Sequence, residues 1–311
     1  MSEKIQKVAV IGSGVMGAGI AAHCANAGCE VLLLDIVPDE GDDRSALSRT
    51  AIQKMHKANP EMLMHKRNAK RITPGNIEDD LHQLKHFDWV VEVIIENLDI
   101  KRNLYSELSK HIGPNTIISS NTSTLPRSEL VSQLSGNIAS RFLITHFFNP
   151  PRYLPLLEVV TSPEVDENIL QRFCEFADHR LGKRVTMCND RPGFIGNRLG
   201  VYFIQRAFKA TLDHGLSVEQ ADAMLGRPIG LPKTAVFALM DLVGIDLIPH
   251  VTGSLLEHLP KDDPFHRIAG TGEEIVIEMI EGGYTGRKGN GGFYRLNRDN
   301  GKKVKDARHL S

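Results

Sequence analysis

His146 and Glu158 are the ionisable side chains that stand out in the stretch SRFLITHFFNPPRYLPLLEVVT, residues 140–161. His146 ends the apolar run RFLITH, and Glu158 sits inside LLEVV. Histidine can take a proton at neutral pH, and a carboxylate beside it fixes the ring tautomer and stabilises the imidazolium. The chemistry such a pair offers is general acid–base catalysis. A carboxylate among Leu and Val needs a partner, because burying an unpaired charge is costly. The stretch alone leaves a second reading open: Glu158 turns outward on an edge strand, and the two residues are unrelated.

A second constellation opens the chain. In KVAVIGSGVMGAGIAAHCANAGCEVLLLD, Gly12, Gly14 and Gly17 follow the short apolar strand VAVIG in G-x-G-x-x-G spacing. A helix follows, then a second strand, EVLLLD, ending in Asp35. That context is what a dinucleotide site needs. The first glycine makes the tight turn, the second lets the backbone approach a pyrophosphate, and the third lets helix and strand pack closely. The helix N-terminus then holds the phosphates. Asp35 would accept from ribose hydroxyls and repel a 2′-phosphate, which favours NAD over NADP.

The elements around these residues alternate. After Asp35 the polar stretch reads as helices from about 44 to 58 and 61 to 70, broken at Asn59-Pro60. Lys54, Lys57, Lys66, Arg67, Lys70 and Arg71 cluster there. Such a run is usually a solvated helical face; the alternative is an arm that meets a phosphorylated substrate. WVVEVIIE reads as a buried strand run with two carboxylates, LDIKRNLYSELSKHI as an amphipathic helix, and TIISSNTSTL as a strand ending in small polar residues. In an open α/β sheet, ligands bind beyond the carboxyl ends of the strands. Glu96, Ser120, Asn121, Thr122, Ser123 and His146 all fall at such ends.

Beyond LGKRVTMCNDRPGF the pattern turns helical, with Pro192 suited to a helix start. The expected fold is therefore α/β: a Rossmann-like doubly wound sheet over residues 1–189, then a smaller all-helical domain over 190–311. The polar tail RLNRDNGKKVKDARHLS is expected to be loose.

Composition is that of a soluble globular protein, and a net charge of −1 gives no basic bias toward nucleic acid. No apolar run approaches the ~20 residues of a membrane span. MSEKIQKVAVIG leads straight into a strand, without a signal or transit pattern. Cys24, Cys29, Cys174 and Cys188 show no CxxC spacing and read as reduced packing residues of a cytosolic, metal-free protein.

Taken together, GSGVMGAGIA at 12–21, VVEVIIENLDIK at 90–101, SNTSTL at 120–125, HFFNP at 146–150 with Glu158, DRPGFIGNR at 190–198 and GRKGNGGFY at 286–294 resemble the 3-hydroxyacyl-CoA dehydrogenase family. The resemblance covers nearly the whole chain. It implies that His146 is the catalytic base and Glu158 its partner, with Ser123 and Asn197 as further active-site polar groups that hydrogen-bond the substrate oxygen. It implies that Val15 and Met16 of the glycine loop, with Glu96, Lys101, Asn121 and Asn149, lie around NAD, and that Lys54 lies near the CoA phosphates. The implied reaction is oxidation of an L-3-hydroxyacyl-CoA by NAD. The family commonly dimerises through its helical domain.

The chain departs from the common pattern at LPKTAVFALMDLVGID, where many relatives carry a Pro-x-Gly-Pro-Phe-type turn. There it is most similar to the dehydrogenase part of bacterial fusions with an enoyl-CoA hydratase, so a piece of a larger polypeptide is expected. Two rival readings stand beside this one. The β-hydroxyacid dehydrogenases share G-x-G-x-M-G but use a lysine in the helix where this chain has none before Lys209. A non-catalytic NAD-binding or structural relative is the other; a dehydrogenase for a non-CoA 3-hydroxy acid falls with the first.

Overall fold

The structure is a computed structural model that describes residues 4–297 and 304–307. The chain divides into two compact units, 1–194 and 195–311.

The first unit is built on one sheet. Its strands are β1 (Lys7–Ile11), β2 (Glu30–Asp35), β3 (Ile72–Asn76), β4 (Trp89–Glu92), β5 (Ile117–Ser120), β6 (Phe142–Phe147), β7 (Leu156–Val160) and β8 (Arg184–Cys188), in the order β3-β2-β1-β4-β5-β6-β7-β8. All pairings are parallel except β6 with β7. Order 3-2-1-4-5-6 with helical crossovers is the doubly wound dinucleotide fold.

The helices are α1 (Val15–Asn26), α2 (Ala46–Met55), α3 (Leu98–Leu108), α4 (Arg127–Val131), α5 (Gly136–Ala139) and α6 (Glu167–His179). Both faces of the sheet are covered, so its strands are apolar on both sides. Val8, Val10, Val31 and Leu33 pack with α1, α2 and α6, while Ala9, Ile11, Leu32 and Leu34 pack with α3, α4 and α5. The alternation of successive residues between two cores is the period-2 geometry of a strand.

Several local expectations change. Helix α2 spans only Ala46–Met55, and residues 61–70 are irregular apart from a 3-10 turn at Lys66–Arg71. ITPGN is strand β3, which pairs only with β2; a proline is tolerated on such an edge. WVVEVIIE stays in the sheet only as far as Glu92. RVTMC is strand β8, closing the other edge. The long helix does not begin at Pro192. Gly193 and Phe194 have φ of 72° and 46°, left-handed values that no helix continues through. Phe194 packs with the first unit's core, so the division falls after Phe194 and not after Asn189.

The second unit contains α7 (Gly196–Asp213), α8 (Val218–Met224), α9 (Phe237–Val243), α10 (Leu247–His258) and α11 (Glu273–Glu281). Its core centres on Phe208, Phe237 and Phe293, whose ring centroids lie 4.9 to 5.7 Å apart in edge-on contact. The unit is not all-helical. β9 (Tyr294–Asn297) and β10 (Val304–Ala307) pair antiparallel. The expectation of a loose tail over 295–311 is thus corrected for 295–297 and 304–307; the rest of it lies outside the described residues. All four cysteines are free. Among the described residues no single helix is long and apolar enough to cross a membrane.

Candidate active site

His146 and Glu158 lie directly opposite each other across the one antiparallel pairing of the sheet. Side chains at paired positions project to the same face. Here they meet: His146 Nδ1 is 2.7 Å from Glu158 Oε2, with the two residues 6% and 0% exposed. A carboxylate only accepts, so Nδ1 carries the hydrogen, and in the neutral ring Nε2 keeps a lone pair. The rings of Phe148 and Phe194 flank the imidazole, with centroids 4.6 and 5.7 Å away. Phe194 reaches this place through its left-handed backbone, a strained conformation of the kind that clusters at functional sites. Glu158 does not turn outward; the sheet buries it against the imidazole.

Asn121 follows β5 and ties it to β6. Its Oδ1 accepts from Phe147 N at 2.9 Å, beside His146. Ser123 is half-buried on the same turn, and its hydroxyl makes no hydrogen bond among the described residues. That turn is held by Glu96. Glu96 Oε1 accepts from the Thr122 hydroxyl, from Ser123 N at 3.1 Å, and from Thr124 N and Oγ1 at 3.3 and 3.0 Å. Burial works against the Glu96 charge, but the Lys101 ammonium at 3.3 Å and these hydrogen bonds outweigh it, so its carboxyl stays below the usual carboxylate range.

Lys101 is 1% exposed and sits between two carboxylates, with Nζ 2.6 Å from Glu92 Oε1 and 3.3 Å from Glu96 Oε2. Its place is behind Glu96, not on the surface. Glu92, the other carboxylate of WVVEVIIE, was not among the expected site residues. It is fully buried and accepts from Ile94 N, Lys101, the Tyr105 hydroxyl and the Ser120 hydroxyl, at 2.5 to 2.7 Å. Burial and the Glu92 charge push the Tyr105 hydroxyl well above the usual tyrosine range, so it stays a donor. The signal was present: a carboxylate in the apolar run WVVE asks for partners as Glu158 does.

The glycine loop lies at the carboxyl end of β1. Gly12 has φ of 103°, and a Cβ on Gly17 would stand 1.8 Å from the Gly12 carbonyl oxygen. A Cβ on exposed Gly14 would meet nothing within 4 Å. The loop is therefore tight on its protein side and open on the other. Val15 is 65% exposed and Met16 half-buried at the start of α1. That helix has no side-chain cap and no acidic residue in its first turn, so its first amides have no side-chain acceptor. Asp35 ends β2 with Oδ2 accepting from Ser13 N at 2.6 Å and from the Ser13 hydroxyl, and Oδ1 from Ile36 N at 2.8 Å. A cradle for a pyrophosphate with an anchored carboxylate one strand away fits a dinucleotide.

The remaining candidates are dispersed. Asn149 is exposed just after β6, and Lys54 is exposed in the last turn of α2. Asn197 belongs to the second unit, half-buried on the first turn of α7, where it lines an apolar cavity of about 160 Å³ with Val201, Met240 and Val251. In that helix Lys209 lies near the far end from Asn197, with Nζ 3.0 Å from Asp213 Oδ1. Asp190 of the DRPGF motif serves the fold: its carboxylate accepts from Arg127 N and Ser128 N and so caps α4.

Residues 7–191 match the family described as 3-hydroxyacyl-CoA dehydrogenase, NAD binding domain, and residues 193–296 match 3-hydroxyacyl-CoA dehydrogenase, C-terminal domain. The chain is 44% identical over 296 residues to a Deinococcus radiodurans protein named as a 3-hydroxyacyl-CoA dehydrogenase, covering 95% of this chain and 84% of that one. It is 42% identical over 311 residues to a Rickettsia felis protein named as a fatty acid oxidation complex trifunctional enzyme. That match takes in 100% of this chain but only 43% of the relative's length. Among solved structures, FadB2 of M. tuberculosis superposes with a TM-score of 0.80 at 29% identity, covering 95% of this chain and 100% of that one.

Proposed function

The chain belongs to the 3-hydroxyacyl-CoA dehydrogenase family, and we propose that it oxidises the C3 hydroxyl of an L-3-hydroxyacyl-CoA with NAD, giving the 3-ketoacyl-CoA. NAD, when bound, supplies the acceptor for the C3 hydride. In this reading His146 Nε2 takes the hydroxyl proton. Glu158 holds Nδ1–H and stabilises the imidazolium, so the proton is taken without building an unpaired buried charge. The Ser123 hydroxyl and the Asn197 amide hydrogen-bond the substrate oxygen as its charge changes.

The Gly12–Gly17 loop, with Val15 and Met16, holds the pyrophosphate, and Asp35 the adenosine ribose. Glu96, with Lys101 fixed behind it, Asn121 and Asn149 face the rest of the cofactor. Lys54 and the basic residues around it meet the CoA phosphates. The working state in this reading is a cytoplasmic homodimer formed through the helical unit.

The observation that carries the proposal is the buried His146–Glu158 pair at the carboxyl edge of a sheet that also holds a dinucleotide cradle. The test is NADH consumption with acetoacetyl-CoA. Turnover is expected, and NADPH serves poorly because of Asp35. A folded, NADH-binding protein that leaves acetoacetyl-CoA unreduced overturns the assignment.

A further inference from the structure

Lys183 is a buried charge that the reaction above does not use. It is 2% exposed and stands immediately before β8. No ion pair is available to it among the described residues. Nζ donates instead to main-chain oxygens, to Pro151 O and, at 2.7 Å, to Leu154 O. It also stands 5.5 Å from the centroid of the Phe147 ring, the residue after His146. Burying an ammonium without a carboxylate is costly, and such a charge persists where its hydrogen bonds do something specific. All three contacts fall on 147–154, the last residue of β6 and the connection that leads to β7.

That connection is gripped elsewhere as well. Gly19 of α1 lies against Pro151, where a Cβ would come within 2.9 Å of the ring. Arg152 donates to Glu61 O at 2.8 Å, and Arg184 N donates to Pro155 O at 2.7 Å. The titratable groups facing Lys183 are His23 and Cys24 on α1, and Arg152 of the connection faces His23. None offers a negative charge near neutral pH, since burial pushes the Cys24 thiol well up. Burial likewise draws the Lys183 ammonium down to about 8.

We propose that Lys183 is a positioning residue of the dyad: its ammonium clamps the carbonyls of Pro151 and Leu154 and so holds the β6–β7 connection in the register that sets His146 opposite Glu158. The proposal rests on the dyad reading above. Lys183→Met keeps the length of the side chain and removes its donors; Lys183→Arg keeps both charge and donors. Three quantities are measured: amide hydrogen exchange over 148–156 relative to α3, the His146 ring resonances, and kcat beside NADH affinity.

In Lys183→Met, exchange over 148–156 is expected to rise about 10-fold or more, the equivalent of one lost charge-assisted hydrogen bond. The His146 resonances move, and kcat falls by roughly 10- to 100-fold with NADH affinity unchanged. Lys183→Arg recovers most of this. A folded Lys183→Met protein with wild-type exchange and wild-type His146 resonances overturns the clamp, whatever its turnover. Absence of turnover in the wild type counts against the proposed function instead. Should Lys183→Met not fold, the wild type decides. Exchange over 148–156 is expected to be about as slow as in β6 and β7, and exchange at the rate of an unprotected loop overturns the proposal.

Discussion

His146 and Glu158 are cross-strand partners on β6 and β7, and their Nδ1 and Oε2 atoms lie 2.7 Å apart inside the sheet. The antiparallel turn-back that brings them together is a departure from an otherwise parallel neighbourhood, since β1 to β6 all run one way. A parallel partner for β6 would have required a crossover and would have placed no residue of the 148–160 stretch opposite His146. The hairpin is thus the device that supplies a buried carboxylate to the base from twelve residues further along the chain.

Gly14 and Gly17 are predicted to separate binding from folding. Alanine at Gly17 would drive a Cβ to within 1.8 Å of a main-chain oxygen, so Gly17→Ala should destabilise the first unit by about 1–3 kcal/mol. Alanine at Gly14 meets nothing in the protein and its φ of −60° suits alanine. Gly14→Ala should melt like wild type yet bind NADH at least ~10-fold more weakly, about 1.4 kcal/mol. Thermal melting with and without NADH reads both. Wild-type affinity in Gly14→Ala would show that no pyrophosphate approaches this loop.

His23 is predicted to make the fold acid-sensitive. Its Nε2 donates to Leu181 O, which favours the charged ring, but burial above all, with the Lys183 and Arg152 charges, lowers its pKa to about 4 from the usual 6.5. Between those values the unfolded chain holds a proton that the folded one does not. Stability therefore falls as pH drops from about 6.5 to about 4, by on the order of 3 kcal/mol from this group. His23→Gln should flatten that part of the melting-temperature profile; an unchanged slope would place the acid sensitivity elsewhere.

Asp241 is predicted to be the anchor of the second unit's closing segment. It is 4% exposed and accepts from Phe293 N at 2.7 Å and Tyr294 N at 2.8 Å. A Cβ on Gly292 would stand 2.0 Å from its Oδ1, so glycine there is what allows the approach. Asp241→Asn turns an amide group toward one of the two donors and should cost about 1–3 kcal/mol. Urea unfolding measures it, and an unchanged midpoint would contradict the assignment.

How much of this was legible in the sequence follows from how local each requirement is. The glycine loop could be read because its turn, its close approach and Asp35 are set by spacing along 12–35. The His146–Glu158 pairing could be argued because two apolar runs joined by Pro-rich residues can fold back on each other. β3 was hidden because its proline and glycine are poor strand formers, and pairing with the neighbouring β2 makes ITPGN a strand. β8 was missed as well: RVTMC becomes a strand by pairing with β7. The helix expected over 61–70 failed because basic residues at near-helical spacing say little about packing. The need of Glu92 for partners was legible in WVVE, but which partners it and Lys183 find was not, because they lie across the fold: Tyr105 and Ser120 for one, the Pro151 and Leu154 carbonyls for the other.

The most direct measurement compares kcat for acetoacetyl-CoA reduction by NADH in wild type, His146→Gln, Glu158→Gln and the double variant, with NADH affinity measured alongside. If the pair acts as one base, each single variant loses roughly 100- to 10,000-fold in kcat, NADH affinity stays within about 2-fold, and the double variant is no worse than the weaker single one. Glu158→Gln with wild-type kcat, or losses that simply multiply in the double variant, would contradict the account.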